Sequence, residues 1–155
     1  SVFMPKLRKG CGGKPKVKCC EDPKDCGVCG DGATGGSYDA SSHTITMCSG
    51  NLSGDVKEFR QTLEHEYVHA ATECAGKGSR GDGNCEDDMK DEFYSYYYVE
   101  CAGLTGKERE QCAVERASWS TRLNPDCAGL GSARARTIYG RSAEGWIKGF
   151  DPYCK

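Results

Sequence analysis

Asp55-Val-Lys-Glu-Phe-Arg-Gln-Thr-Leu-Glu-His-Glu-Tyr-Val-His-Ala-Ala-Thr-Glu-Cys74 is the most regular stretch of the chain. Val56, Phe59, Leu63, Tyr67 and Ala70 follow one another at spacings of 3, 4, 4 and 3. That spacing draws one apolar stripe along a helix of about five turns. Asp55 suits the N-cap, and Glu58, three residues on, suits a capping box. The helix is expected to end between Cys74 and Gly76, before a glycine-rich loop from Lys77 to Asn84.

On the N-terminal side, His43-Thr-Ile-Thr-Met-Cys48 alternates β-branched or apolar residues with polar ones and reads as a short strand. Ser49 to Gly54 reads as a turn, and the Gly-, Asp- and Cys-rich run from Cys20 to Ser37 as loop. On the C-terminal side, Asp87 to Cys101 reads as a second helix with Met89, Phe93 and Tyr97 on one face. Thr105-Gly-Lys-Glu108 signals a third helix, running to about Arg122 and stopped by Asn124-Pro125. A last helix over Ser132 to Trp146 is weakened by its glycines, and Phe150 to Cys154 reads as an extended tail pinned by Cys154. The sum is a mainly helical α+β chain with a small N-terminal sheet. We divide it into a basic N-terminal arm, residues 1–23, and a single domain, residues 24–155.

The chain has 155 residues, enough for one domain with its own core. It also has 12 cysteines, a density usually found in small scaffolds that lack a core. Their even number and wide spread read as disulfides formed in an oxidising compartment. The rival is a zinc knuckle at Cys26-Gly-Val-Cys29 completed by Cys19 and Cys20, and disulfides are preferred because most other cysteines stand singly. No apolar run is long enough to span a membrane. The charges are mixed and the net charge is −2, which argues against nucleic acid as a general partner. Lys6, Arg8, Lys9, Lys14, Lys16 and Lys18 make the arm basic, and we read it as solvated and tied by Cys11, Cys19 and Cys20. The first residues show no charged-then-apolar leader, so any secretion signal is expected to have been removed or never present.

His65-Glu66-Tyr67-Val68-His69 lies inside the best helix. Residues four apart stand one turn above each other on one face, so two imidazoles can share a Zn²⁺ ion. The carboxylate next to the first histidine can take a proton from a metal-activated water. This is the HExxH pattern of zincin metallopeptidases. The chain has only three histidines, and two of them fill these positions. They are expected at the edge of the apolar stripe, facing a cleft. His43 is read as a surface residue. A catalytic zinc needs a third protein ligand and an open position. Glu86, Asp87, Asp88, Asp91, Glu92 and Glu100 on the second helix could supply it if that helix packs antiparallel to the first. Asp88 and Glu92 share a face, so one could bind metal while the other orients a histidine.

Several of these pieces occur in a familiar order. Cys26-Gly-Val-Cys29, Gly35-Gly-Ser-Tyr-Asp-Ala-Ser41, Ile45-Thr-Met-Cys48, Thr62-Leu-Glu-His-Glu-Tyr-Val-His-Ala70 and Cys74 succeed one another. Cys112-Ala-Val-Glu-Arg-Ala-Ser, Asn124-Pro-Asp-Cys127 and Phe150-Asp-Pro-Tyr follow. Over residues 24–155 the series resembles the metallopeptidases of the mitochondrial intermembrane space that mature an ATP synthase subunit and assist assembly of the synthase. The resemblance implies a disulfide-stapled zincin-like domain and a glutamate ligand a little over twenty residues after the second histidine. Glu92 has that residue type and spacing; Asp91 and Asp88 are the alternatives. The loop 76–84 and Tyr96-Tyr-Tyr-Val-Glu-Cys101 depart from the family, so a secreted or toxin-like relative fits as well.

The expected function is therefore zinc-dependent endopeptidase activity. His65, His69 and Glu92 hold the metal, Glu66 is the general base, and a protein or peptide is the substrate. One of Tyr94, Tyr96, Tyr97 and Tyr98 could donate a hydrogen bond to the reacting carbonyl, and the strand His43–Cys48 could pair with an extended substrate. The competing readings are a cysteine-locked binding or assembly module with a structural or vestigial zinc, and a secreted protease effector or toxin.

Overall fold

The computed structural model describes residues 14–76, 78, 85–121, 127–129 and 143–148. Strands β1 (Lys16–Cys19), β2 (Gly36–Asp39) and β3 (Thr44–Met47) precede helices α1 (Val56–Cys74), α2 (Cys85–Tyr98) and α3 (Gly106–Thr121). A short helical segment, 143–148, packs against the helices through Trp146. The fold is mainly helical α+β, with a small N-terminal sheet and disulfides at the element ends.

The sheet order is β1-β3-β2. β3 is central, pairing parallel with β1 and antiparallel with β2, with Gly36 opposite Met47 and Tyr38 opposite Ile45. Only β3 was legible as a strand. β1 falls in the expected solvated arm, and its four side chains are all exposed, so it carries no buried alternation to read. β2 begins at the Gly35-Gly36 pair, a turn signal by composition that here starts an edge strand.

α1 is capped as expected at Asp55, whose side chain accepts the Lys57 N–H at 2.9 Å. Glu58 does not close the box on Asp55. It accepts the Ser53 N–H at 3.0 Å and bonds the Ser53 hydroxyl. Gly54 makes this possible: at φ 82° it folds the chain back over the first turn. Of the predicted stripe, Phe59, Leu63 and Tyr67 pack on Ile45, Met47 and Tyr38 of the sheet, while Val56 lies beyond it and is 71 % exposed.

The other side of α1 meets α2. Val68 and Ala71 join Met89, Phe93 and Tyr94 of α2, Ala113, Val114 and Ala117 of α3, and Trp146 in the main core. Contacts fix the direction: Thr72 meets Asp91, while His65 meets Ser95 and Glu100, so the two helices run antiparallel. α3 returns along α2, with Arg109 at Tyr97 and Ser118 at Met89.

Disulfides join Cys20 to Cys26, Cys29 to Cys48, Cys85 to Cys127 and Cys101 to Cys112. Cys74 is disulfide-bonded as well. These pairings remove the zinc knuckle, since Cys20, Cys26 and Cys29 are consumed; Cys19 is a free thiol and ties nothing down. The cross-links fit an oxidising compartment. Among the described residues no helix is long and apolar enough to cross a membrane. The third-helix limit at Arg122, the Asn124-Pro125 stop, the helix between Ser132 and Ser142 and the tail Phe150–Cys154 lie outside the described residues.

Cys29–Cys48 closes a loop of sequence separation 19 and joins the segment before β2 to the end of β3. Replacing both residues by alanine is expected to lower unfolding free energy by about 3 kcal/mol. Urea unfolding of the oxidised proteins measures the difference.

Candidate metal centre

His65 and His69 stand one turn apart on α1, and their rings turn toward α2 rather than lying beside the sheet-facing stripe. Their centroids are 5.0 Å apart. Glu92 of α2 lies between them, with Oε2 3.4 Å from His65 Nε2 and Oε1 3.2 Å from His69 Nε2. The two Nε2 atoms therefore point at one carboxylate. The opposite nitrogens are also held. His65 Nδ1 meets the Glu100 carboxylate at 2.9 Å, and His69 Nδ1 meets Asp91 Oδ1 at 3.2 Å. Asp91 in turn accepts a 2.6 Å hydrogen bond from the Thr72 hydroxyl. A carboxylate at Nδ1 favours the Nδ1–H tautomer and leaves the Nε2 lone pair free for a metal.

Burial by itself would lower the His65 pKa, but hydrogen bonds to Glu100 and Glu92 overcome it and raise it to about 10. His69 is raised well above its ordinary value, against burial, by the charges of Asp91 and Glu92. Burial opposes the ionised form of Glu92, yet the neighbouring imidazoles hold its carboxyl well below the usual range. The two imidazoles and the Glu92 carboxyl thus favour one another's charged forms.

Glu66 stands beside them on the side that faces β2. It is 7 % exposed, and among the described residues no hydrogen bond or ion pair reaches its carboxylate. Burial raises its pKa, with the two histidines opposing. The space beside it exists because residue 36 is glycine: a Cβ there would lie 3.0 Å from Glu66 Cγ and 3.1 Å from Thr62 Cγ2. His65, Glu66 and His69 each offer a ligand atom within 4.8 Å of the others. The donor set fits a divalent ion of the zinc class: two neutral Nε2 donors, one carboxylate facing both, and a second carboxylate at hand.

A cleft of about 720 Å³ opens at this centre, between β2 with its following turn and the facing sides of α1 and α2. Gly36 to Ser41 form one wall; Glu66, His69 and Glu73 of α1 and Asp91 and Glu92 of α2 form the rest. The strand expected to border the cleft was His43–Cys48. Instead β3 is paired on both sides, and the edge strand β2 takes that place.

Among the candidate ligands, Asp91 and Glu92 of α2 and Glu100, just past its end, meet the histidines. The expected Asp88–Glu92 division of labour is replaced by Glu92 with Asp91 and Glu100. Of the tyrosines, Tyr96 reaches the centre, its ring edge-on to His65 at 4.7 Å. Burial and the Glu92 charge raise its pKa to about 12, so the hydroxyl keeps its proton. Tyr94 donates to the Trp146 carbonyl, and Tyr97 stacks on Phe93 beneath the Arg109 guanidinium. Sequence reasoning missed Ser120 of α3, whose hydroxyl lies 3.3 Å from Glu92 Oε2, and nothing local marks it. It also missed Thr72, which i+3 spacing from His69 could have suggested. His43, read as surface, is half-buried and bonds the Tyr38 hydroxyl through Nδ1 at 2.9 Å.

No family model, curated protein or solved structure matches the chain.

Metal must displace the protons that the raised histidine pKa values retain. Zinc binding is therefore expected to release about two protons near neutral pH and to tighten as pH rises from 6 toward 9. Calorimetry in buffers of different ionisation enthalpy measures the release. Glu100→Gln, which loosens His65, is expected to weaken zinc binding about 10- to 100-fold by competition with a chromogenic chelator. Unchanged affinity would remove Glu100 from the site.

Proposed function

We propose that the protein is a zinc-dependent metalloendopeptidase of the zincin type, with His65, His69 and Glu92 as metal ligands. The observation that carries this reading is the pairing of two features in one open cleft. Two Nε2 atoms converge on the Glu92 carboxylate, and the buried Glu66 carboxylate beside them has no partner. A structural metal site closes its four positions with protein ligands, whereas this centre faces a cleft. That favours catalysis over the assembly-module reading.

His65, His69 and Glu92 would hold a zinc ion, which would supply Lewis acidity toward a carbonyl and a bound water. Glu66, with its pKa raised by burial, accepts the proton of the attacking water and delivers it to the leaving amine. Asp91 and Glu100 keep the imidazoles in the tautomer that presents Nε2. On the Glu92 side, the Ser120 hydroxyl meets the carboxylate and the Tyr96 ring stands edge-on to His65. The edge of β2 is suited to an extended peptide, which would add to the sheet beside Glu66.

The resemblance of the motif order to that of the intermembrane-space metallopeptidases supports the same reading. Secretion and the intermembrane space are the two oxidising compartments we propose for it, the first including a protease effector.

Glu66→Gln is expected to lower peptide cleavage by a factor of about 10² to 10⁴ while one zinc stays bound. A fluorogenic peptide assay with parallel metal analysis checks both parts. Cleavage that survives the substitution, or that a strong chelator leaves untouched, would overturn the mechanism.

A further inference from the structure

The two histidines are held differently at Nδ1. His65 meets both oxygens of Glu100, at 2.9 and 3.1 Å. His69 meets Asp91 through Oδ1, at 3.2 Å. A contact through both oxygens fixes the tilt of a carboxylate, whereas a contact through one lets it swing about that point. Asp91 also borders the cleft, where its carboxylate could turn to water instead. The terminal torsion of an aspartate is broad, so its own rotamer preference does little to prevent this. Something else has to hold Asp91 against His69.

Thr72 is placed to do so. It follows His69 by three residues on α1 and is fully buried. Its hydroxyl stands 2.8 Å from the His69 carbonyl and 2.6 Å from Asp91 Oδ1, the same oxygen that meets His69 Nδ1. A hydroxyl carries one proton, and neither a carbonyl nor a carboxylate oxygen has one to give. The carboxylate is the stronger acceptor and the nearer one, so the proton goes to Asp91. The carbonyl contact follows from the rotamer, because a helical threonine can set its Oγ1 against the carbonyl one turn back. β-Branching makes that side chain stiff, and burial keeps water from competing for its hydroxyl. Asp91 comes from α2, yet its oxygen is thereby fixed to the same turn of α1 that carries the imidazole.

We propose that Thr72 is the positioning residue of the metal centre. Its hydroxyl holds the Asp91 carboxylate at His69 Nδ1 and so keeps His69 Nε2 turned toward Glu92. The proposal rests on the metal-site reading for its purpose, and it deepens that reading. It also assigns the two histidines separate supports: two oxygens of Glu100 for His65, one oxygen of Asp91 and a hydroxyl for His69. Valine has nearly the shape of threonine and lacks the hydroxyl, so Thr72→Val removes the support and leaves the packing.

Thr72→Val and Thr72→Ser are compared with the unaltered protein in two measurements. In competition with a chromogenic chelator, Thr72→Val is expected to bind zinc about tenfold more weakly, the worth of one hydrogen bond to a charged group. Thr72→Ser keeps the hydroxyl and is expected to restore the affinity. In heteronuclear NMR, the His69 Nδ1 proton of Thr72→Val is expected to move upfield and to exchange with water about tenfold faster. The His65 Nδ1 proton, held by Glu100, is expected to stay unchanged, whereas a merely structural role for Thr72 would loosen both rings together. If Thr72→Val does not fold, Thr72→Ala takes its place with the same expected results. Undiminished zinc affinity, an unmoved His69 proton, equal changes at both histidines, or a Thr72→Ser protein as weak as Thr72→Val overturns the assignment. The ring protons are read without metal as well. A protein that binds no zinc therefore sinks the metal reading, while the His69 and His65 protons still decide the part played by Thr72.

Discussion

The Glu92 carboxylate, set between the Nε2 atoms of His65 and His69, is the interaction around which the helices are arranged. Ions withdrawn from water are costly unless each is paired, and five titratable side chains meet here. Asp91 and Glu100 complete the pairing at the outer nitrogens. The set closes only if α2 runs antiparallel to α1 in one register and one rotation. Met89, Phe93 and Tyr94 supply that rotation by burying the opposite side of α2 in the main core. Cys85–Cys127 and Cys101–Cys112 hold its two ends. The cysteines thus reinforce a core that exists, and do not substitute for one.

α1 serves three neighbours with three of its sides. Phe59, Leu63 and Tyr67 anchor it to the sheet, Val68 and Ala71 to α2 and α3, and the strip between carries Glu66, His69 and Glu73 into the cleft. Glu66 can sit on that strip unpaired only because Gly36 leaves room for it. A side chain on β2 at that point would press on Glu66. The small sheet is therefore more than packing, since its edge forms a wall of the cleft.

Acidity is concentrated where it can act. The chain as a whole is nearly neutral, yet the cleft is lined by carboxylates from three separate elements: Asp39 after β2, Glu66 and Glu73 on α1, Asp91 and Glu92 on α2. Part of that charge is answered by the histidines.

The sequence by itself determined α1, its cap and the placing of His65 and His69 one turn apart, because capping, 3.6-residue periodicity and i, i+4 spacing are all local. It also determined β3, whose side chains alternate, and the preference for disulfides over a zinc knuckle. Lys16-Val-Lys-Cys19 showed no strand because all its side chains face water, and Gly36 hid another behind a turn signal. On α2 the pattern offered six carboxylates within one helix and its end. Which of them meet the histidines depends on how far α2 is rotated about its own axis, and packing against α3 and Trp146 fixes that angle. Ser120, Tyr96 and the free edge of β2 reach the centre for the same reason. Their positions follow from how elements distant in sequence pack, and only the tertiary structure decided them.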